Sequence, residues 1–280
     1  MTDDEMEARS PHSITIQIPD HLEALRIMQD LMYARHRASL KPQTVALITE
    51  YSLLYEHLWS VGARVTPITN AVLVCMQMVV ECKAELIRTM LLAIRGNITD
   101  AHAQIRRAIE CSAWARRIFI VPELADEWLK IEPDEPPSRK WRDNIGNKLI
   151  FPADHKKLLD LRSRYQVASR FLHPFKFSFA NRVELKDNGG VSSLSYSFFD
   201  AEDVQSNLPT RFFWILQTHD LILDVFEEIF ASALVEDVEK PWRDHRAQVG
   251  STFHSVARWW VEMNKRAEER RAGQEVPARE

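Results

Sequence analysis

Glycine is the scarce residue of this chain: seven among 280, against 13 prolines, or about a third of its usual ~7% share. Only glycine lets successive backbone N–H groups close on a phosphate. Neither G-x-G-x-x-G nor G-x-x-x-x-G-K-[ST] occurs, which excludes dinucleotide-binding and P-loop designs. Cysteine is almost as sparse. Cys75, Cys82 and Cys111 contain no C-x-x-C pair, so they form neither a disulfide framework nor half of a zinc site, and they read as small buried residues. H-E-x-x-H and G-x-S-x-G are missing, and none of the ten histidines follows a glutamate by three positions. Zincin, nucleophile-elbow and ferritin-like di-iron chemistry fall with them, leaving no metal or cofactor expected. Long apolar runs are absent too. The longest, residues 71–80, is broken by Gln77 and followed by Glu81, Lys83 and Glu85, far short of the ~20 residues of a membrane span. The start, MTDDEMEARSPHS, is acidic and has no apolar core, so the expected location is the cytoplasm. The net charge of −4 gives no whole-molecule attraction to nucleic acid or anionic membrane.

What is present is helical periodicity. Apolar residues recur three and four apart almost everywhere, predicting a mainly α fold, a multi-helix array. Asp20 is the expected cap of a first helix carrying Leu22, Leu25, Met28 and Met32. A second runs from about Pro42 to Gly62. A third, after Pro67 to Arg95, is apolar on most faces and reads as central. Gly96 stops it, and Thr99 or Asp100 caps a fourth that ends before Pro122. A short helix at 124–129 precedes the proline-rich connection 131–139. Another helix is expected from Pro152 to a stop at Pro174. Alternating Phe175, Phe177 and Phe179, then Val183, Leu185, the turn at Gly189-Gly190 and Val191, Leu194, Tyr196, predict one inserted β-hairpin near residues 176–198. Helix resumes by Pro209, and a last one begins after Pro241. The expected organisation is a disordered tail over 1–14, one helical domain over 15–264 and a charged, frayed tail over 265–280.

Charge is unevenly laid out. Residues 139–182 hold 11 Lys/Arg against three Asp, a net of +8, and residues 200–237 hold nine carboxylates against one Arg, a net of −8. Lys156, Lys157, Arg162, Arg164 and Arg170 form a candidate basic patch for a phosphate-bearing partner; the plainer reading is that the two segments face each other or are solvated. The stripe Asp220, Asp224, Glu227 and Glu228 beside His219 reads as an acidic face. Trp259-Trp260 suit either docking of the last helix on the core or a homodimer through that helix.

Two short patterns carry more information. Arg106 and Glu110 share one helix face, with Arg117 further along it, in the order that adds less to helix stability than Glu before Arg. Ser169 and His173 lie one turn apart, beside Tyr165, at a helix end closed by Pro174. The R-x-x-x-E helix, the segment Pro122-Glu123-Leu124-Ala125 and the Tyr-x-x-x-Ser-x-x-x-His-Pro helix end together resemble a family of largely helical bacterial proteins classed as a domain of unknown function, over residues 68–230. The resemblance implies that Arg106, Glu110, Tyr165, Ser169 and His173 converge on one polar pocket; it implies no reaction. The expected function is therefore non-enzymatic, a binding or regulatory module for a small anionic or polar ligand. The alternative is a nucleic-acid-directed effector, a divergent HEPN-like RNase or RNA-binding protein using residues 139–182.

Overall fold

Apolar spacing translates into ten α-helices among the described residues of a computed structural model, which are 18–132, 134, 136–172, 183–188, 191–196 and 208–274. They are α1 (Ile18–Ser39), α2 (Pro42–Gly62), α3 (Asn70–Ile94), α4 (Ile98–Ile120), α5 (Glu123–Leu129), α6 (Arg139–Asn144), α7 (Asn147–Ile150), α8 (Lys156–Leu172), α9 (Leu208–Ile229) and α10 (Glu236–Gln274). The mainly α class is thus what the structure shows. Val183–Asn188 and Val191–Tyr196 pair antiparallel, but residues 173–182, 189–190 and 197–207 lie outside the described residues. The expected hairpin insertion is carried no further than that local pairing.

The core is built around α3 and α4. Cys75 and Cys82 on α3 donate their thiols to the carbonyls of Ala115 (3.2 Å) and Ala108 (3.4 Å) on α4. These residues recur every seven positions on each helix, and buried Thr89 and Ala101 continue both series. Small side chains at this spacing let two antiparallel helices approach closely along their whole length. All three cysteines are buried, and burial pushes the Cys75 thiol up to about 12. α4 then packs against α8 and α9, and α2 against α3 and α10. Leu47, Leu54 and Leu58 of α2, Leu86 of α3, Ile105 and Ile109 of α4, Leu161 of α8 and Phe212, Ile215 and Phe226 of α9 are wholly enclosed. Each large apolar side chain so enclosed contributes roughly 1.5–3 kcal/mol.

Several helix ends differ from expectation, each for a local reason. α1 starts at Ile18 rather than after Asp20; Pro19 occupies its first turn, where a missing N–H costs nothing, and Asp20 sits where the helix dipole favours a carboxylate. α3 is capped by Thr69, whose hydroxyl accepts from the Val72 amide at 3.3 Å. At its other end Gly96 adopts φ 82°, with the Gly96 amide on Ala93 O (3.1 Å) and the Asn97 amide on Leu92 O (2.9 Å). This motif needs glycine and turns the chain in three residues, so α4 begins at Ile98 with Asn97 as its cap rather than Thr99 or Asp100. α8 starts at Lys156 instead of Pro152, because His155 Nδ1 accepts the Leu158 amide (3.2 Å) and caps it. α10 begins before Pro241, which lies just past the first turn and costs only one hydrogen bond. It continues to Gln274, so the charged segment expected to fray from Lys265 is helical for ten residues; it is rich in Ala, Glu and Arg, all strong helix formers. Gly62 does not end α2 by its conformation. Its role is close approach, since a Cβ there would meet Met76 Cγ and Phe230 Cζ at 3.0 Å.

Candidate functional site

Helix α8 carries the candidate basic patch and meets both the Arg106–Glu110 face of α4 and the acidic stripe of α9. Its partner α4 runs antiparallel to it, so the Arg106 end of α4 meets the later turns of α8. Arg106 Nε (3.1 Å) and Nη2 (3.0 Å) donate to Glu110 Oε1, Nη2 also donates to the Tyr165 hydroxyl at 2.8 Å, and the guanidinium lies 4.8 Å from the Tyr165 ring centroid. Burial, and then Glu110, raise the Tyr165 pKa. Arg106, Glu110 and Tyr165 are therefore brought together. They satisfy one another. Ser169 turns its hydroxyl back to the Tyr165 carbonyl at 2.7 Å, and His173 lies outside the described residues.

On the flank toward α9, basic and acidic segments meet. Lys157 Nζ lies 3.0 Å from Glu228 and 3.6 Å from Asp224, and His155 Nε2 lies 2.8 Å from Glu228. Arg164 folds onto α9: its Nη1 donates to the Trp214 carbonyl and to Thr218 Oγ1, both at 3.0 Å, and Nη2 to Gln217 Oε1 at 3.4 Å. Two members of the candidate basic patch are thus engaged within the fold. Lys156 and Arg170 are exposed and Arg162 is half-buried. α10 neutralises the other side of the acidic stripe, where Arg246 reaches Asp220 at 2.7 Å and Asp224 at 2.5 Å.

Between these contacts lies a cleft of about 510 Å³. Asp160, Ser163, Arg164 and Val167 of α8 form one wall. Trp214, Gln217, Asp220 and Leu221 of α9 form the other, with Phe253 of α10 and Tyr51 of α2 closing it. The size lies within the ~300–1,000 Å³ range of small-molecule sites, as does the combination of apolar walls with a few convergent polar groups. Its charges are partly stripped of water. Burial lowers the Arg164 pKa against the opposing pull of Asp160, and burial raises that of Asp220 despite Arg246. Tyr51 is pushed well up by burial and then by Asp220. Desolvated groups of opposite sign in one concavity are the pattern of binding sites. The walls are rigidly backed: Trp214 stacks on His102 at 4.8 Å, Phe253 meets Phe213 edge-on at 5.3 Å, and beneath α9 the Tyr55 hydroxyl bonds His219 Nδ1 at 2.7 Å.

A second pocket, of about 300 Å³, opens at the start of α8, where the end of α4 faces α7 and the turn into α8. Arg117, on the face already marked by Arg106 and Glu110, is one of its cations.

Among the described residues no group of three or more His, Cys, Asp or Glu is placed to hold a metal ion, and no helix is long and apolar enough to cross a membrane. The acidic stripe of α9 is held by Arg246 and Lys157. Trp259 lies under Lys41 Nζ, 4.0 Å from its ring, and Trp260 packs against the core, so both serve the docking of α10. Sequence reasoning found Arg164 of the cleft but missed Tyr51, Trp214 and Phe253 as its neighbours, because they come from three other helices. The available signal was the mixed stripe Trp214, Gln217, Leu221 on α9. No protein-family model matches the chain, and neither the curated proteins nor the solved structures compared with it contain a match.

Proposed function

We propose that the protein is a small-molecule-binding module whose ligand occupies the cleft between α8 and α9. The single observation carrying this reading is a cavity of about 510 Å³ whose largely apolar walls bring Arg164, Asp160 and Gln217 to one rim. The rim offers the Asp160 carboxylate and the Gln217 amide beside the Arg164 guanidinium, while Asp220 is already shared with Arg246 at 2.7 Å. The ligand class that fits is a small organic amine, zwitterions included: its ammonium faces Asp160, a carboxylate of its own faces Arg164, and Val167, Leu221 and Phe253 cover its apolar body. Binding of this kind needs no nucleophile. The resemblance to the helical bacterial family, with a hairpin inserted between α8 and α9, belongs to the same proposal.

Ser163 is exposed on the cleft wall, so Ser163→Trp fills the cavity without disturbing the core. The test is native mass spectrometry after incubation with a defined mixture of free amino acids and arylalkyl amines. The native protein retains one or a few components and Ser163→Trp retains none. Retention by neither protein, or equal retention by both, refutes the reading.

A further inference from the structure

The second pocket has a different chemistry. Its apolar floor is Ala113, Ile150 and Leu158, all buried. Around it stand Arg116 and Arg117 from the end of α4 and Lys148 from α7, with Asp154 as the lining carboxylate. These cations are under-neutralised. Among the described residues Arg117 donates to neutral acceptors only, from Nε to the Asn144 carbonyl at 3.3 Å and from Nη2 to Asn144 Oδ1 at 3.0 Å. Arg116 Nε stands 3.8 Å from Glu228 Oε2, but that carboxylate already serves His155 at 2.8 Å and Lys157 at 3.0 Å. Among the described residues Lys148 has no carboxylate within ion-pairing distance. All three line the same pocket, two from the end of α4 and one from α7, so an anion there would meet cations from two elements.

We propose that this pocket is a phosphate site, taking the phosphoryl group of a small phosphorylated metabolite, separate from the cleft between α8 and α9. Three cations stand against Asp154 and a share of Glu228, a positive excess that suits the charge of about −1.5 to −2 on a phosphomonoester near neutral pH. The free guanidinium edges of Arg116 and Arg117 supply the planar forks that suit phosphate oxygens, and Lys148 adds a mobile point charge. The floor of Ala113, Ile150 and Leu158 receives a short carbon skeleton. A cavity of about 300 Å³ admits that.

Calorimetric titration of the full chain with inorganic phosphate, and separately with acetate at matched ionic strength, tests the assignment. Phosphate binds saturably to the native protein. Lys148→Ala weakens it about tenfold, the loss of one charge-assisted contact, and Lys148→Ala with Arg116→Gln abolishes it. Arg243→Ala, an exposed cation on α10, leaves it unchanged. Far-ultraviolet circular dichroism verifies that each variant keeps its helix content. No saturable phosphate binding to the native chain, equal binding to the double variant, or acetate binding as tightly as phosphate overturns the proposal.

Discussion

Acid is the perturbation to which this core is most sensitive, because two imidazoles are enclosed in it as neutral rings. His219 is fully buried, and burial pushes its pKa down to about 3. His102 is equally enclosed and is pushed down to about 4 by burial, against its hydrogen bond to the Ile98 carbonyl. In the unfolded chain both return to ~6.5. Between those values the unfolded state binds more protons than the native one. Their contribution is therefore complete above about pH 6.5 and is lost as pH falls toward the folded pKa values. At about pH 5 the unfolded rings lie ~1.5 units below their pKa while the native rings stay neutral, so at ~1.36 kcal/mol per unit each costs about 2 kcal/mol. Together they remove about 4 kcal/mol, a large share of the ~5–15 kcal/mol of a typical domain. Urea unfolding at about pH 8 and about pH 5 measures the decrement. His219→Gln lowers stability at both pH values, since it disturbs the bond to Tyr55, but its decrement between them shrinks to about 2 kcal/mol. An unchanged decrement in the variant, or none in the native protein, refutes the reasoning.

Three further outcomes follow from the packing. Gly250 lies inside α10 with open space where a Cβ would stand, so Gly250→Ala stabilises the protein by about 0.5–1 kcal/mol in urea melts. Gly62→Ala does the opposite: its Cβ would meet Met76 and Phe230 at 3.0 Å, and the overpacking costs about 1–3 kcal/mol, seen as a lower midpoint in the same melts. Tyr165→Phe keeps the ring over Arg106 but removes the hydroxyl 2.8 Å from Nη2; the loss is about 1 kcal/mol, measured by thermal unfolding, and a cleft ligand binds unchanged.

The helical class, the central place of α3 and the buried cysteines were legible because each rests on local spacing along one helix. Arg106 and Glu110 were legible as a pair for the same reason, and the motif order placed Tyr165 beside them. Helix starts at residues 18, 98, 156 and 236 were not legible. Each depends on a neighbour outside the periodic pattern, such as the Schellman turn at Gly96 or the cap at His155. The cleft was least legible of all. Arg164 stood out as one cation in a basic stretch, but what converts it into part of a site is Asp220 on α9, Tyr51 on α2 and Phe253 on α10. Only the packing of four helices brings those together.

The central claim is that the cleft between α8 and α9 holds a small amine. Methyl NMR of the full chain, titrated with phenethylamine and with phenylalanine, tests it most directly. The account predicts saturable shifts at Val167 and Leu221, which line the cleft, with Leu149 and Ile150 of the basic pocket unmoved and all shifts absent in Ser163→Trp. Shifts that fail to saturate, that spread evenly over surface methyls, or that persist in Ser163→Trp would contradict it.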